Sequence, residues 1–417
     1  MKNKTNLMSP AGSWESLSAA IKAGADSVYF GVEQLNMRAR SAKTFYLSDL
    51  PTVAQKCHNA GVESYLALNT VLYDSDMAAM REICDAAKAA GVTAVIATDS
   101  AVLGYAKSIG LNVHLSTQAN VSNIDAVKFY ANFANVIVLA RELTLSQIEH
   151  ITAEIERQTI CGPDGKLVRI ELFVHGALCV SIAGKCYMSL ATTNHSANRG
   201  DCLQTCRRRF RVIDENNGNE LVLDNKFVMS PKDLCTIGHM DKLIRSGATV
   251  FKIEGRGRPP EYVYHTTRAY RQAIDSVFAG NYTPEKIAAW KEELERVFNR
   301  GFWHGGYYLG HKLGEWSGAY GAKATHQKTY VGYAVNYFQK PGIGEFVVEN
   351  GTLEQGETIA VIGPTTGYVE SSANSIFVND KPARTATKKD RITIPVNEKI
   401  RRKDKLYVIR KRTQWQG

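Results

Sequence analysis

The stretch AVIATDSAVLGYAKSIGLNVHLSTQ, residues 94–118, decides the fold. It holds one short apolar run, a helix-length spacer ending in glycine, and a second apolar run that closes on polar residues. The same unit recurs on both sides. Upstream lie LMSPAG (7–12), SVYFG (27–31) and SYLALN (64–69); downstream lie VIVLARE (136–142), IELFVHG (170–176) and TVFKIEG (249–255). Amphipathic patterns such as SWESLSAAIKAGA and SDMAAMREICDAAKAAG fill the spacers, with apolar positions at helical spacing. Eight short β runs with helix-length connections predict an α/β fold, a (β/α)8 TIM-like barrel. No G-x-G-x-x-G opens the first helix, which argues against a dinucleotide-binding sheet.

Beyond Glu254 the pattern changes twice. Two helical segments, EYVYHTTRAYRQAIDSVFAG and TPEKIAAWKEELERVFNRG, precede a glycine- and aromatic-rich linker. Short alternating runs come next, among them YVGYAVNYF, ETIAVIG, RITIPV and KLYVIRK. They predict a small C-terminal all-β barrel domain. The expected division is a catalytic domain over 1–325 and a basic β domain over 326–417. From Lys381 to the end, thirteen Lys/Arg face three acidic residues, which accounts for the whole net charge of +10. A neutral body with a basic end suggests an anionic macromolecule as partner. Along KLYVIRK a two-residue period sets Lys405, Tyr407 and Ile409 on one side and Leu406, Val408 and Arg410 on the other.

The last barrel connection is the longest, and it holds four of the chain's eight cysteines. Cys179, Cys186, Cys202 and Cys206 have the spacing C-x6-C-x15-C-x3-C. MKNKTNLMSPAG carries no secretory h-region, and no apolar run approaches membrane-spanning length, so a cytoplasmic location without a membrane is expected. Thiols stay reduced there, and a dense group of them points to metal or reactivity rather than disulfides. Zinc sites favour tight C-x2-4-C knuckles, which only Cys202/Cys206 offers. Iron–sulfur clusters accept thiolates from separate loops. Cys235, in SPKDLC, is a spare thiol able to replace one of the four.

Active sites of such barrels sit at the C-terminal ends of the strands. The two-residue period places His114, Ser116 and Gln118 together on the fifth strand, and Glu171, Phe173 and His175 together on the seventh. The eighth presents Lys252, Glu254 and Arg256. Asn69 ends the third strand, Arg141 and Glu142 end the sixth, and the loop after the second carries Arg38 and Arg40. Arginine forks bind carboxylate or phosphate, so a small anion is expected at this mouth. Neither G-x-S-x-G nor H-E-x-x-H occurs.

With these residues in view, the chain resembles the collagenase-like, unclassified peptidase family. The resemblance runs through E-x-F-x2-G-A-L-C-x4-G-x-C-x-M-S (Glu171–Ser189), NRGDCLQTCR (Asn198–Arg207), SPKDLC (Ser230–Cys235), FKIEGR (Phe251–Arg256) and YRQAID (Tyr270–Asp275). It covers about the first 300 residues. Within the family the chain looks most like the tRNA 5-hydroxyuridine modification proteins. That likeness implies an iron–sulfur cluster, of the 4Fe-4S type, on Cys179, Cys186, Cys202 and Cys206. It further implies tRNA as partner, hydroxylation of the wobble uridine without oxygen, and the dicarboxylate prephenate as co-substrate. His114, Gln118, His175 and Glu254 are then the catalytic candidates. Arg38, Arg40, Asn69, Arg141, Lys252 and Arg256 are the substrate-binding candidates. A peptidase, a ribosomal-RNA cytidine hydroxylase and a non-enzymatic RNA-binding module are the alternatives; homo- or hetero-oligomers fit each of them.

Overall fold

The computed structural model describes residues 5–38, 45–211, 213–218, 227–311, 315–319 and 321–412. The expected runs form strands β1 (Asn6–Pro10), β2 (Ser27–Phe30), β3 (Glu63–Leu68), β4 (Ala94–Ala97), β5 (Val113–Leu115), β6 (Val136–Val138) and β7 (Arg169–Gly176). After a further strand outside the ring, β8 (Asp233–Cys235), comes β9 (Val250–Ile253). β1–β7 and β9 pair in parallel in sequence order. The ring closes where β9 joins both β1 (Met8 opposite Lys252) and β7 (Phe173 opposite Lys252). The chain is thus a closed eight-stranded parallel barrel with surrounding helices. β8 pairs antiparallel with β7 and parallel with β10 (Phe302–His304), an annex that the apolar runs did not show because Asp-Leu-Cys and Phe-Trp-His each include a polar end residue.

Helices α1 (Trp14–Lys22), α2 (Leu50–Asn59), α3 (Met77–Ala89), α4 (Ser100–Ser108), α5 (Ile124–Ala131) and α6 (Leu145–Arg157) come after the first six strands in turn. Polar caps start several of them: the Ser16 amide donates to Ser13 Oγ, and the Ala101 amide to Asp99 Oδ1. Each such cap adds about 1 kcal/mol. Met8, Tyr29, Tyr65, Ile96 and Val136 fill the barrel interior. A larger apolar layer lies between strands and helices, for example Leu17, Val53, Ile83 and Ile148. Short α7 (Met188–Thr193) and α8 (Met240–Arg245) lie in the last connection, before the long α9 (Pro260–Phe278) and α10 (Pro284–Arg296).

The C-terminal region is antiparallel and all-β. Its strands are β11 (His326–Phe338), β12 (Ile343–Val348), β13 (Thr352–Glu354), β14 (Thr358–Gly363), β15 (Gly367–Ser372), β16 (Ile376–Val378), β17 (Lys381–Ala383), β18 (Thr385–Thr387), β19 (Arg391–Pro395) and β20 (Lys405–Lys411). Eight of them form one sheet in the order β15-β14-β20-β11-β12-β19-β16-β17, and β13 pairs with β18. The sheet wraps its own core of Val331, Phe346, Val361, Ile392, Leu406 and Val408. On β20 the alternation holds, with a use the sequence did not show: Tyr407 and Ile409 pack against the barrel's apolar layer.

Docking is completed by polar contacts. Lys22 Nζ donates to the Tyr368 carbonyl at 3.1 Å, and Arg296 pairs with Glu370 at 2.8 Å. His265 of α9 lies between Glu293 of α10 (3.0 Å) and both Glu370 (3.4 Å) and the Tyr368 hydroxyl (3.3 Å) of β15, with Arg268 also on Glu293. Burial opposes its charge, but the two carboxylates outweigh burial and raise its pKa above the ordinary value. A raised folded-state pKa contributes stability that is complete below the unfolded value of about 6.5 and is lost as pH rises through the folded value. Thermal melts should therefore show a loss of Tm as pH rises above about 6.5 that His265→Gln removes. An equal pH slope in the variant would take His265 out of the interface energetics.

Candidate active site

A cavity of about 290 Å³ opens at the C-terminal ends of the barrel strands. Tyr29, Asn69, Gln118, Arg141, Phe173 and Lys252 line it from six strands or the turns just beyond them. Arg38, Glu254 and Arg256 line it from the loops after β2 and β9. The roof is the segment after β7, which carries Cys179, Cys186, Cys202 and Cys206, all four on the cavity wall.

Two glycines set that roof in place. Gly176 ends β7 at φ +104°, where a Cβ would stand 2.4 Å from the Glu254 carbonyl oxygen. Gly200 has φ +88°, and a Cβ there would stand 2.3 Å from the Asn36 carbonyl oxygen. No L side chain fits either position without backbone movement. Arg207 pins the far end, donating to the carbonyls of Leu178 (2.5 Å) and Pro231 (2.6 Å) and to Ser230 Oγ (3.0 Å). Arg199 ties the roof to the loop after β3 through Asp76 and the Val71 carbonyl.

The cations are held in a network. Lys252 Nζ donates to Glu171 Oε1 at 2.9 Å and lies over the ring of Tyr29. Arg256 donates to Asn36 Oδ1 at 3.0 Å, Arg38 pairs with Glu254 at 3.3 Å, and the Arg141 guanidinium stacks 3.9 Å over Phe173. Tyr29 donates to Glu254 Oε2 at 3.1 Å. Burial pushes the Glu254 carboxyl up, but Arg38, Arg141 and Arg256 outweigh it and keep its pKa below the usual carboxylate range. Gln118 Oε1 accepts from the Asn69 amide at 3.4 Å and from Ser116 Oγ, so two amides face the cavity side by side.

Eleven of the fourteen candidates lie on the cavity wall, and a twelfth lies behind it, against Glu171, the partner of Lys252. His114 is the one behind: it stacks on Tyr65 inside the barrel, 3.6 Å from Glu171 Oε2, and burial holds its pKa below the ordinary value. His175 is corrected. It points outward, onto Tyr262, Tyr270 and Phe302, and burial lowers its pKa to about 3. The cause is a bulge: Phe173 faces Lys252 and His175 faces the next residue, Ile253, so two residues of β7 match one of β9. An inserted residue switches the face of every later residue in the strand. Arg40 lies outside the described residues. Cys235 is fully buried in β8 beside the Tyr270 hydroxyl, burial raises its thiol to about 11, and it is not on the cavity wall.

Three residues escaped the sequence reading. Tyr29 was within reach, since the alternation in SVYFG turns it inward. Asn36, fully buried between Gly31 and Gly200, has no signal in the sequence. Arg207 comes directly after Cys206 and anchors the roof.

The thiols share a wall without meeting in ligating geometry: among the described residues no three His, Cys, Asp or Glu side chains stand close enough to hold a metal ion. Burial raises the Cys206 thiol, while amide donors and cations face the group. The Ser181 amide donates to Cys179 Sγ at 3.4 Å and the Met188 amide to Cys186 Sγ at 3.3 Å. Arg38 and Arg207 supply positive charge nearby. Amide donors to sulfur and nearby charge are features that tune iron–sulfur clusters. No described helix is long and apolar enough to cross a membrane.

Relatives carry two kinds of name. The chain is 53% identical to a protein of Porphyromonas gingivalis named collagenase, over 99% of each chain. It is 29% identical to tRNA hydroxylation protein P1 of Bacillus subtilis, over 90% of this chain and 88% of that one. It is 32% identical to the 23S rRNA 5-hydroxycytidine C2501 synthase of Escherichia coli, over 72% of this chain and 44% of that protein. The profile of Peptidase family U32 matches residues 12–318, from α1 through the cysteine roof to beyond β10, and the chain belongs to that family.

Proposed function

We propose that this chain is a tRNA hydroxylase that modifies C5 of the wobble uridine without molecular oxygen, with prephenate as co-substrate and an iron–sulfur cluster on Cys179, Cys186, Cys202 and Cys206. The observation that carries this reading is the make-up of the cavity wall: four thiols with arginines and amides, and no histidine among the described wall residues. A cysteine peptidase of the Cys–His type needs an imidazole beside its thiol, and the described wall residues include none. Arg38, Arg141 and Arg256 bind the two carboxylates, with Lys252 adding charge at the floor. Asn69 and Gln118 offer the donor and acceptor that the edge of uracil requires. When bound, the cluster supplies electron-transfer or Lewis-acid chemistry. The basic β module adds phosphate contacts through exposed Arg401, Arg402 and Lys403.

Mass spectrometry of tRNA nucleosides tests the proposal: a deletion strain should lose 5-hydroxyuridine derivatives, and an unchanged nucleoside spectrum refutes it. Peptidase action is the second reading, favoured by the 53% identity to the collagenase-named relative. Cleavage of gelatin by the anaerobically purified protein would establish it. Calorimetry checks the acid site. Arg256→Lys removes the fork and should weaken prephenate binding about ten- to hundredfold, the worth of one charge-assisted hydrogen bond. Equal affinity would place the acid elsewhere.

A further inference from the structure

The roof has an outer face as well as an inner one. Tyr187 (74% exposed) lies between the wall residues Cys186 and Met188, and exposed Leu203 lies between Cys202 and Gln204. Tyr73 (58% exposed) joins them from the loop after β3, held under the Arg199 guanidinium at 4.0 Å. The segment is strongly basic: from Ala177 to Arg211 there are six Lys/Arg and one acidic residue, Asp201. Lys185, Arg208, Arg209 and Arg211 are exposed. Summed over the first 380 residues the charges balance, yet this local excess lies at the mouth itself.

We propose that this rim is a stacking platform for single-stranded RNA, which delivers one unstacked base into the cavity. The inference rests on the tRNA reading above and deepens it. Exposed aromatic rings among cations are the arrangement that grips single strands, because every base has a π-face and every linkage a phosphate. A cavity of about 290 Å³ admits one base with a small acid and excludes a duplex, so the base must leave its stack to react. Collagen-like peptide carries no regular anionic backbone to match the cations, which is why RNA is favoured as occupant.

Fluorescence anisotropy tests this with the full-length protein and a labelled single-stranded oligoribonucleotide of about ten nucleotides, within the usual footprint of such platforms. Tyr187→Ala and Tyr73→Ala should each weaken binding about tenfold. Tyr187→Phe should retain it, and the same sequence as a duplex should bind less tightly than the single strand. Both tyrosines are exposed, so folding is not at stake, and Arg401→Glu with Arg402→Glu should weaken strand and duplex alike. Unchanged affinity in both alanine variants overturns the platform. Displacement of RNA by gelatin more readily than by unlabelled RNA overturns it in favour of peptide. If deletion abolishes 5-hydroxyuridine while the alanine variants bind normally, only the platform falls. If the wild-type protein binds no RNA and deletion leaves the nucleosides unchanged, the tRNA reading falls with it.

Discussion

Lys252→Met is expected to destabilise the protein by about 3–5 kcal/mol, the usual cost of breaking a buried ion pair from one side. Glu171 has no solvent exposure, and Lys252 is its cation at 2.9 Å. Among the described residues its second oxygen has no hydrogen-bond partner; His114 lies 3.6 Å away, and burial lowers the pKa of that ring. Removing the ammonium, which lies over the rings of Tyr29 and Phe173, strands a buried carboxylate. Glu171→Gln in the same chain should recover most of the loss, since no charge is then left unpaired. Urea unfolding of the two variants measures both numbers. A single-variant loss below about 1 kcal/mol would mean that water or another cation reaches Glu171.

The largest effect on activity is expected from the roof. Wild-type protein purified without oxygen should be brown, with sulfide-to-iron charge-transfer absorption. Cys179→Ser or Cys202→Ser should remove both the colour and 5-hydroxyuridine from the complemented deletion strain. Cys235→Ser should keep both, because that thiol lies in β8 behind the barrel wall. A colourless anaerobic protein with one tightly held zinc would end the cluster proposal. Retained colour in Cys206→Ser would remove that residue from the ligand set.

The barrel was legible because each parallel strand, covered on both sides, reads as an apolar run, and each connection is long enough to be a helix. Polar residues at the ends of those runs then located the mouth, which is why Asn69, Gln118, Arg141, Glu254 and Arg256 were found. Alternation failed where its premise failed. His175 lies past a bulge, and a period of two carries no memory of an inserted residue. β8 and β10 were missed because Asp-Leu-Cys and Phe-Trp-His lack the apolar run that marked β5 and β6, which are just as short. The inward charge of Lys252 was visible beside Glu254 and Arg256 of its own strand, but its partner Glu171 was not, because only closure of the ring brings β7 against β9.

That closure has a consequence for synthesis. Asn6 pairs with Val250, so the first strand made is among the last to gain its second neighbour. At about 5–20 residues per second, β1 waits on the order of tens of seconds on the ribosome with one edge open. β7 waits too, and the cysteine roof emerges in that interval, above a ring not yet shut. A nascent chain of this design therefore completes its four roof cysteines before the cavity whose wall they form exists.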